Sequence, residues 1–347
     1  MQQRKVRIHD VAKLAGVSVG SASRVINDAA NVSPTVRAKV EQAIDILGYA
    51  PSHAARTLRS RVSKTVGCLF SDVTNPLYAR AFRAIEESLR SDGYMLLLAN
   101  GLNEVEREIE ILRMFQQRGM DGVIYAPSNE NDPRIVELVE SLPMPVVLYD
   151  REIAARADAV LFDHSHGVQE VCRRLFEFGH RRIALALWDA GSRPVRHRIA
   201  GYRAAYREAG LPVPELILTR QSSTGSVFED LFELLGKSDP PTALLAQGTH
   251  ILVSALRAIV RTGRRIPQDF SVVGIGDTDF TQTYEPAISV MRTPTELVAA
   301  RAKDLLLDRV SGRVPRQAPS RHCLVPYQII DRDSWGPVLP AATASCQ

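Results

Sequence analysis

The stretch "IHDVAKLAGVSVGSASRVIN", residues 8–27, decides how the chain begins. Val11, Leu14 and Ala15 stand at i, i+3 and i+4, one face of a short helix. Gly16 takes a positive φ at no steric cost and suits the end of that helix. Ser18 is an N-cap for a second helix, in which Ala22, Val25 and Ile26 share a face. Outward from there, "VSPTVRAKVEQAIDILGY" (residues 32–49) opens a third. Ser33 caps it, Pro34 fits its first position and Gly48 closes it. Val36, Val40, Ala43, Ile44 and Leu47 form its apolar stripe.

Two short helices joined by a tight glycine turn, with a third completing the core, describe a helix-turn-helix over residues 1–50. In that motif the second helix lies in the DNA major groove, its N-terminal residues at base edges. Val19, Gly20 and Ser21 are then small because that end must sit against the bases. Arg24, on the same helix, reaches phosphate or a guanine edge. An ordinary three-helix miniature core would show the same pattern. The charge favours the DNA-binding reading, with a solvated basic arm as the plainer alternative. Residues 1–64 hold eleven Lys/Arg and four Asp/Glu, +7 in all, whereas the whole chain is +4, which leaves −3 for the rest. A basic head on a mildly acidic body points to a polyanionic partner for the head.

Residues 51–64, "PSHAARTLRSRVSK", read as a hinge helix and linker. Ala54, Ala55 and Leu58 give a small apolar face, ringed by Arg56, Arg59, Arg61 and Lys64. Isolated helices shorter than about 12–15 residues are marginal in water. This one suits a segment that orders on DNA, pairs with its twin and wedges a leucine into the minor groove. A flexible basic linker is the plainer alternative.

The chain as a whole has the composition of a globular protein: 45% hydrophobic and 24% charged residues over 347. Four scattered cysteines (Cys68, Cys172, Cys323, Cys346) form no Cys-x-x-Cys pair, so neither a disulfide framework nor a zinc site is expected. The opening "MQQRKVRIHD" lacks a signal peptide's apolar core, and no apolar run approaches membrane-span length, so a cytoplasmic protein with no membrane contact is expected. From Thr65 on, short apolar runs ("TVGCLF", "YMLLLA", "DGVIYA", "PVVLYD", then "RIALAL", "LILT", "ALLA", "SVVGI") alternate with helical patterns. That alternation is the mark of parallel sheets covered on both faces, and two sets of it make two Rossmann-like lobes. Ligands of such sheets bind at the carboxyl ends of strands. The rule selects the polar loops Asp72–Tyr78, Pro127–Ser128, Asp163–His166, Asp189–Arg198, Gln221–Ser223, Gln247–Gly248 and Gly276–Asp277.

Together these stretches resemble the LacI/GalR family of transcriptional regulators. The head matches through Ile8-x-Asp10-Val11-Ala12, Ala15-Gly16-Val17-Ser18, Ser23-Arg24-Val25-Ile26-Asn27, Val32-Ser33-Pro34, Leu47-Gly48-Tyr49-x-Pro51 and Ala54-Ala55-Arg56-x-Leu58. The body matches through "GCLFSDVTNPLYA", "DGVIYAPS", "FEFGHRRIAL", "RHRIAGYRAAY" and "RIPQDFSVVGIGD". The resemblance implies a mixed α/β chain: a helix-turn-helix head, then a two-lobed periplasmic-binding-protein-like domain over 65–330. Its N-lobe would be about 65–162 and 292–322 and its C-lobe about 163–290 and 323–330, with 331–347 a flexible tail. It implies a repressor-type homodimer on a pseudo-palindromic double-stranded operator, controlled by a small molecule between the lobes. The tail has no leucine heptads that would make a tetramer.

By the same resemblance, Val19, Gly20 and Arg24 fall where the family reads bases. Ser18, Ser23, Asn27 and Asn31 fall where it holds phosphates, with Ser21, Ala55 and Arg56 beside them, and Leu58 matches the intercalating leucine. Effector contacts are expected from Leu77, Tyr78, Ser128, His166, Arg198, Ser222, Gln247 and Asp277. Gln247-Gly248 and Gly276-Asp277 stand where many relatives carry Asn-Asp and Asp-Asp, and Ser222 where some carry a stacking aromatic. With Arg198 kept and carboxylates lost, the pocket leans towards a sugar acid or phosphosugar. No Gly-x-Gly-x-x-Gly after a first strand, Walker loop or defensible Ser-His-Asp spacing is present, so no enzyme and no cofactor is expected. "DHSH" (residues 163–166) reads as ligand- or water-bonding histidines rather than a metal site. A solute receptor shares the two lobes but lacks a basic head.

Overall fold

Local capping chemistry sets the limits of the N-terminal helices. Helix α1 (Ile8–Ala15) stops at Gly16, which has φ 64°. Helix α2 (Val19–Ile26) begins behind Ser18, whose Oγ accepts from the Ser21 amide at 3.1 Å. Helix α3 (Pro34–Leu47) begins behind Ser33, whose Oγ accepts from the Val36 amide at 3.4 Å, and stops at Gly48. Val11, Ala12, Ala15, Ala22, Val25, Val40 and Ala43 are buried together as one small core. Leu14 does not join them: it is 49% exposed. The helix turns its Val11–Ala12–Ala15 edge inward, so Ala12 takes the place expected of Leu14.

The structure, a computed structural model, describes residues 6–26, 29, 31–49, 62–188, 191–221 and 225–338, in two units, 1–63 and 64–347. The expected contacts Asn27, Ala55, Arg56, Leu58 and Ser222 lie outside the described residues.

The second unit holds two six-stranded sheets. The first has the order β11-β5-β4-β3-β1-β2. Its strands are β1 (Thr65–Phe70), β2 (Met95–Asn100), β3 (Gly122–Ala126), β4 (Val146–Tyr149), β5 (Asp158–Phe162) and β11 (His322–Val325), paired in parallel throughout. Helices α4 (Pro76–Arg90), α5 (Val105–Gln117), α6 (Pro133–Ser141) and α12 (Thr295–Val310) belong to this N-lobe. The second sheet has the order β12-β10-β9-β8-β6-β7. It comprises β6 (Ile183–Trp188), β7 (Ile217–Arg220), β8 (Ala243–Gln247), β9 (Ser271–Ile275), β10 (Ser289–Arg292) and the antiparallel edge β12 (Gln328–Ile330). Its helices are α7 (His164–Glu177), α8 (Arg193–Glu208), α9 (Phe228–Leu235), α10 (Gly248–Arg261) and the short α11 (Asp279–Thr283). Strands β1, β3, β8 and β9 are buried on both faces, as their unbroken apolar runs require.

Two expected boundaries shift. The return to the C-lobe comes after Val325, not at 322–323, because His322–Val325 pairs with Ala159–Phe162 in the N-lobe sheet. Pro326, which follows, has no N–H for a ladder, and there the chain crosses over. Residues 331–338 are not a loose tail. The Val272 amide donates to the Ser334 carbonyl at 2.8 Å, Trp335 is buried against Phe178, and the Val338 amide donates to the Phe178 carbonyl at 2.8 Å.

Candidate functional site

In the head, Ala22 and Val25 turn α2 inward, which leaves Ser18, Gly20 and Arg24 exposed and Val19, Ser21 and Ser23 half-buried. Asn31, in the turn before α3, is exposed as well. A Cβ added at Gly20 would meet only Ser18 Oγ, at 3.7 Å. Packing within the head therefore does not require glycine there. The Arg24 guanidinium makes a single weak return bond, Nε to the Gly20 carbonyl at 3.4 Å, and is free to reach outward.

In the body, the strand order reverses at β3-β1-β2 in one sheet and at β8-β6-β7 in the other. Such switch points are where α/β sheets open a crevice beyond the strands' carboxyl ends. A cavity of about 780 Å³ lies there, between the lobes. Leu77, Tyr78, Arg198, Gln247 and Asp277 line it, together with Asn75, Asp150, Arg151, Trp188, Arg292 and Tyr327.

Ser128 and His166 do not line it. The Ser128 amide is turned to the buried carboxylate of Glu108, 3.0 Å away, which also takes the Tyr125 hydroxyl at 2.6 Å. His166 lies in the first turn of α7, exposed, its amide donating to Asp163 Oδ1. Its neighbour His164 is the one that turns inward, and among the described residues no three His, Cys, Asp or Glu gather as metal ligands.

The two buried acidic groups of the cavity, Asp150 and Asp277, are already engaged, while Glu87 and Glu296, also on its lining, are exposed. Asp150 receives His164 Nε2 at 2.9 and 3.0 Å and the Phe162 amide at 3.2 Å. Burial disfavours its charge, but His164, Arg151 and Arg198 outweigh that and hold the carboxyl below its ordinary range. Burial pushes His164 down to about 4, against the pull of Asp150, so at neutral pH its ring is uncharged. The Tyr327 hydroxyl, 3.1 Å from His164 Nδ1, is then the donor in that contact. Asp277 receives one guanidinium nitrogen of Arg332, Nη2, at 2.9 Å from each carboxylate oxygen. The bases differ. Arg151 is used up on the Pro127 and Asp150 carbonyls and the Tyr78 hydroxyl. Arg198 is 6% exposed, and its Nε and Nη1 have no partner among the described residues. Gln247 Oε1 is likewise buried without one.

The lobes are clasped across this cavity at two places. Arg80 on α4 donates to the Asp277 carbonyl at 2.8 Å and to Asp279 at 2.6 Å. Glu130 of the N-lobe, 4% exposed, accepts from the Arg193 amide at the start of α8 at 2.7 Å and from Arg196 at 3.2 Å. Leu77 seats on Gly276: a Cβ there, at φ 110°, would lie 2.8 Å from Leu77 Cδ1.

Comparison with known proteins agrees with this division. Residues 7–52 match the bacterial regulatory proteins of the lacI family, and residues 172–335 a periplasmic binding protein-like domain. The HTH-type transcriptional regulator CelR of Thermobifida fusca is 32% identical over 90% of this chain and 94% of its own length. The chain belongs to the LacI family. It is a DNA-binding transcriptional regulator with an effector-binding domain. The ribose operon repressor of Escherichia coli K12 is 31% identical over 87% of this chain and 92% of its own. Among solved structures, the lac repressor dimer bound to operator and the anti-inducer ONPF superposes with a TM-score of 0.84. It is 25% identical, and the match covers 95% of this chain and 99% of that one.

Trp188, Asp150 and Tyr327 are among the cavity residues that sequence reasoning missed, as are Arg151 and Arg292. Trp188 and Asp150 each stand at or just past a strand's carboxyl end, where the same rule would have found them. Tyr327 lies on a crossover, with no local signal.

Proposed function

We propose that this chain is a homodimeric repressor of a pseudo-palindromic operator, released or tightened by an anionic carbohydrate, a sugar acid or phosphosugar, bound between its lobes. One observation carries the effector class: Arg198 is buried with two guanidinium nitrogens unpartnered among the described residues, while Asp150 and Asp277 on the same cavity are already paired. A buried unpaired donor is costly, and a planar fork with open positions suits a carboxylate or phosphate. Gln247 Oε1 suits a hydroxyl hydrogen of the same molecule. Ser18, Gly20, Arg24 and Asn31 present the exposed surface that a major groove and its phosphates would meet. The effector acts by stabilising one angle between the lobes over another, and it shifts that balance only by its difference in affinity for the two.

Operator selection from random DNA, followed by calorimetry with aldonates, sugar phosphates and their neutral parents, tests this reading. Acids or phosphates should bind and change operator affinity, and Arg198→Met should abolish that response while leaving operator affinity in place. Tight binding of the neutral sugars with none of the acids would refute the effector class. Leu58→Ala should weaken operator binding sharply without altering effector affinity, as the hinge wedge requires.

A further inference from the structure

We infer that Trp188 is a specificity-determining residue of the cleft: its indole N–H, with the open fork of Arg198, selects an effector whose buried end is an oxyanion, carboxylate or phosphate. This rests on the reading of the cleft as an anionic-carbohydrate site and names a second group that makes the choice.

Trp188 is the last residue of β6, which neighbours β8 at the C-lobe switch point. The register Ala186↔Ala246, carried two residues on, puts Trp188 beside Gly248. Both line the cavity. Gly248 has φ 71°, and a Cβ on it would lie 3.6 Å from Trp188 Nε1. The polar edge of the indole thus lies against the residue type that leaves it uncovered; any longer side chain there would contend with it. An indole nitrogen donates and never accepts, and Trp188 is half-buried on the cavity wall. Trp188 Nε1 makes no hydrogen bond among the described residues, and the buried carboxylates that line the same cavity, Asp150 and Asp277, are committed to His164 and Arg332. At Trp188 and Arg198 this wall of the cavity therefore offers hydrogen, while Gln247 Oε1 beside Gly248 stands open to a ligand hydroxyl. An oxyanion supplies the missing acceptor, while the indole face covers the ligand's C–H groups.

The protein has two tryptophans, and Trp335 packs on Phe178, away from the cavity. In the full-length protein carrying Trp335→Phe, Trp188 is the sole tryptophan reporter. An aldonate, the matching sugar phosphate and the neutral parent sugar are titrated in, by fluorescence and by calorimetry. At least one oxyanion should shift the Trp188 emission; which of the two does so tells carboxylate from phosphate. Trp188→Phe, which keeps the ring and loses the N–H, should weaken that oxyanion roughly tenfold or more and leave operator binding unchanged. Gly248→Asp should abolish oxyanion binding, whereas Gly248→Asn, with the same backbone demand and no charge, should retain more of it. If Trp335→Phe does not fold, calorimetry of Trp188→Phe in the natural sequence decides alone. Oxyanion binding that is equally tight in Trp188→Phe overturns the role of Trp188 and leaves the reading of the cleft standing. Binding of neutral sugars only overturns both.

Discussion

Acidification should loosen the effector domain through one histidine. His164 has no exposed surface, touches Asp150 with one ring nitrogen and receives Tyr327 on the other. Burial lowers its pKa from 6.5 to about 4; Asp150 pulls it upward, and Arg198 and Arg193 add to the lowering. Between those values the unfolded chain binds a proton that the native fold refuses. The unfolded state then holds more protons, so stability rises with pH across that window and is lost as pH falls through it. From these two pKa values the loss between pH 7.5 and 5 is about 2 kcal/mol, growing to about 3 near pH 4. Asp150 acts elsewhere: its carboxyl is held below the ordinary range, so its share of stability goes only at still lower pH. His180 and His197 are also lowered by burial and contribute in the same sense.

Denaturant titration followed by tryptophan emission reads this domain alone, since Trp188 and Trp335 both lie in it. The natural protein should lose stability from pH 7.5 to 5. His164→Gln, which cannot titrate there, should start lower and lose about 2 kcal/mol less over the same interval. Effector affinity should fall with stability, because a protonated His164 no longer accepts from the Tyr327 hydroxyl that borders the cavity. A His164→Gln variant with the same pH slope as the natural protein would show that the ring is not buried neutral, and the account of Asp150 as a fully engaged group would go with it.

Three further outcomes follow from the geometry. Glu130→Ala removes the acceptor for the Arg193 and Glu152 amides, at about 1–3 kcal/mol for each buried donor left unpaired; calorimetry should show weaker effector binding with operator affinity kept, and unchanged affinity would mean the clasp plays no part in closure. Gly201→Ala places a Cβ 2.3 Å from the Ser165 carbonyl oxygen, backbone against backbone where α7 meets α8. Such overpacking costs about 1–3 kcal/mol or more, and a melting temperature equal to that of the natural protein would contradict the close approach. Ser33→Ala removes the α3 cap and should cost the head about 1 kcal/mol, seen as weaker operator binding in a gel shift with the tryptophan-monitored unfolding unmoved; equal operator binding would count against the cap.

What was legible in the chain is what local chemistry decides. Ser18, Gly16, Ser33, Pro34 and Gly48 act on their own turns, so helix limits in the head follow from a few adjacent residues. The rule that strands point their carboxyl ends at a ligand found Leu77, Tyr78, Arg198, Gln247 and Asp277, and applied strictly it reaches Trp188. It failed at Ser128 because the backbone there is claimed by Glu108, twenty residues earlier on another element. The sign of the cleft was legible only in part, for the same reason. From the sequence, the loss of carboxylates at 248 and 276 suggests a more positive pocket, yet Asp150 and Asp277 remain and would offset Arg198 if they were free. They are not free: Arg332 reaches Asp277 from a segment that reads as a loose tail, and His164 reaches Asp150 from the start of the next helix. Which charges a ligand meets is set by these distant pairings rather than by the count of acids and bases. Replacing Arg332 with methionine should therefore reverse the preference of the cleft as surely as replacing Arg198, by freeing Asp277 to repel an oxyanion.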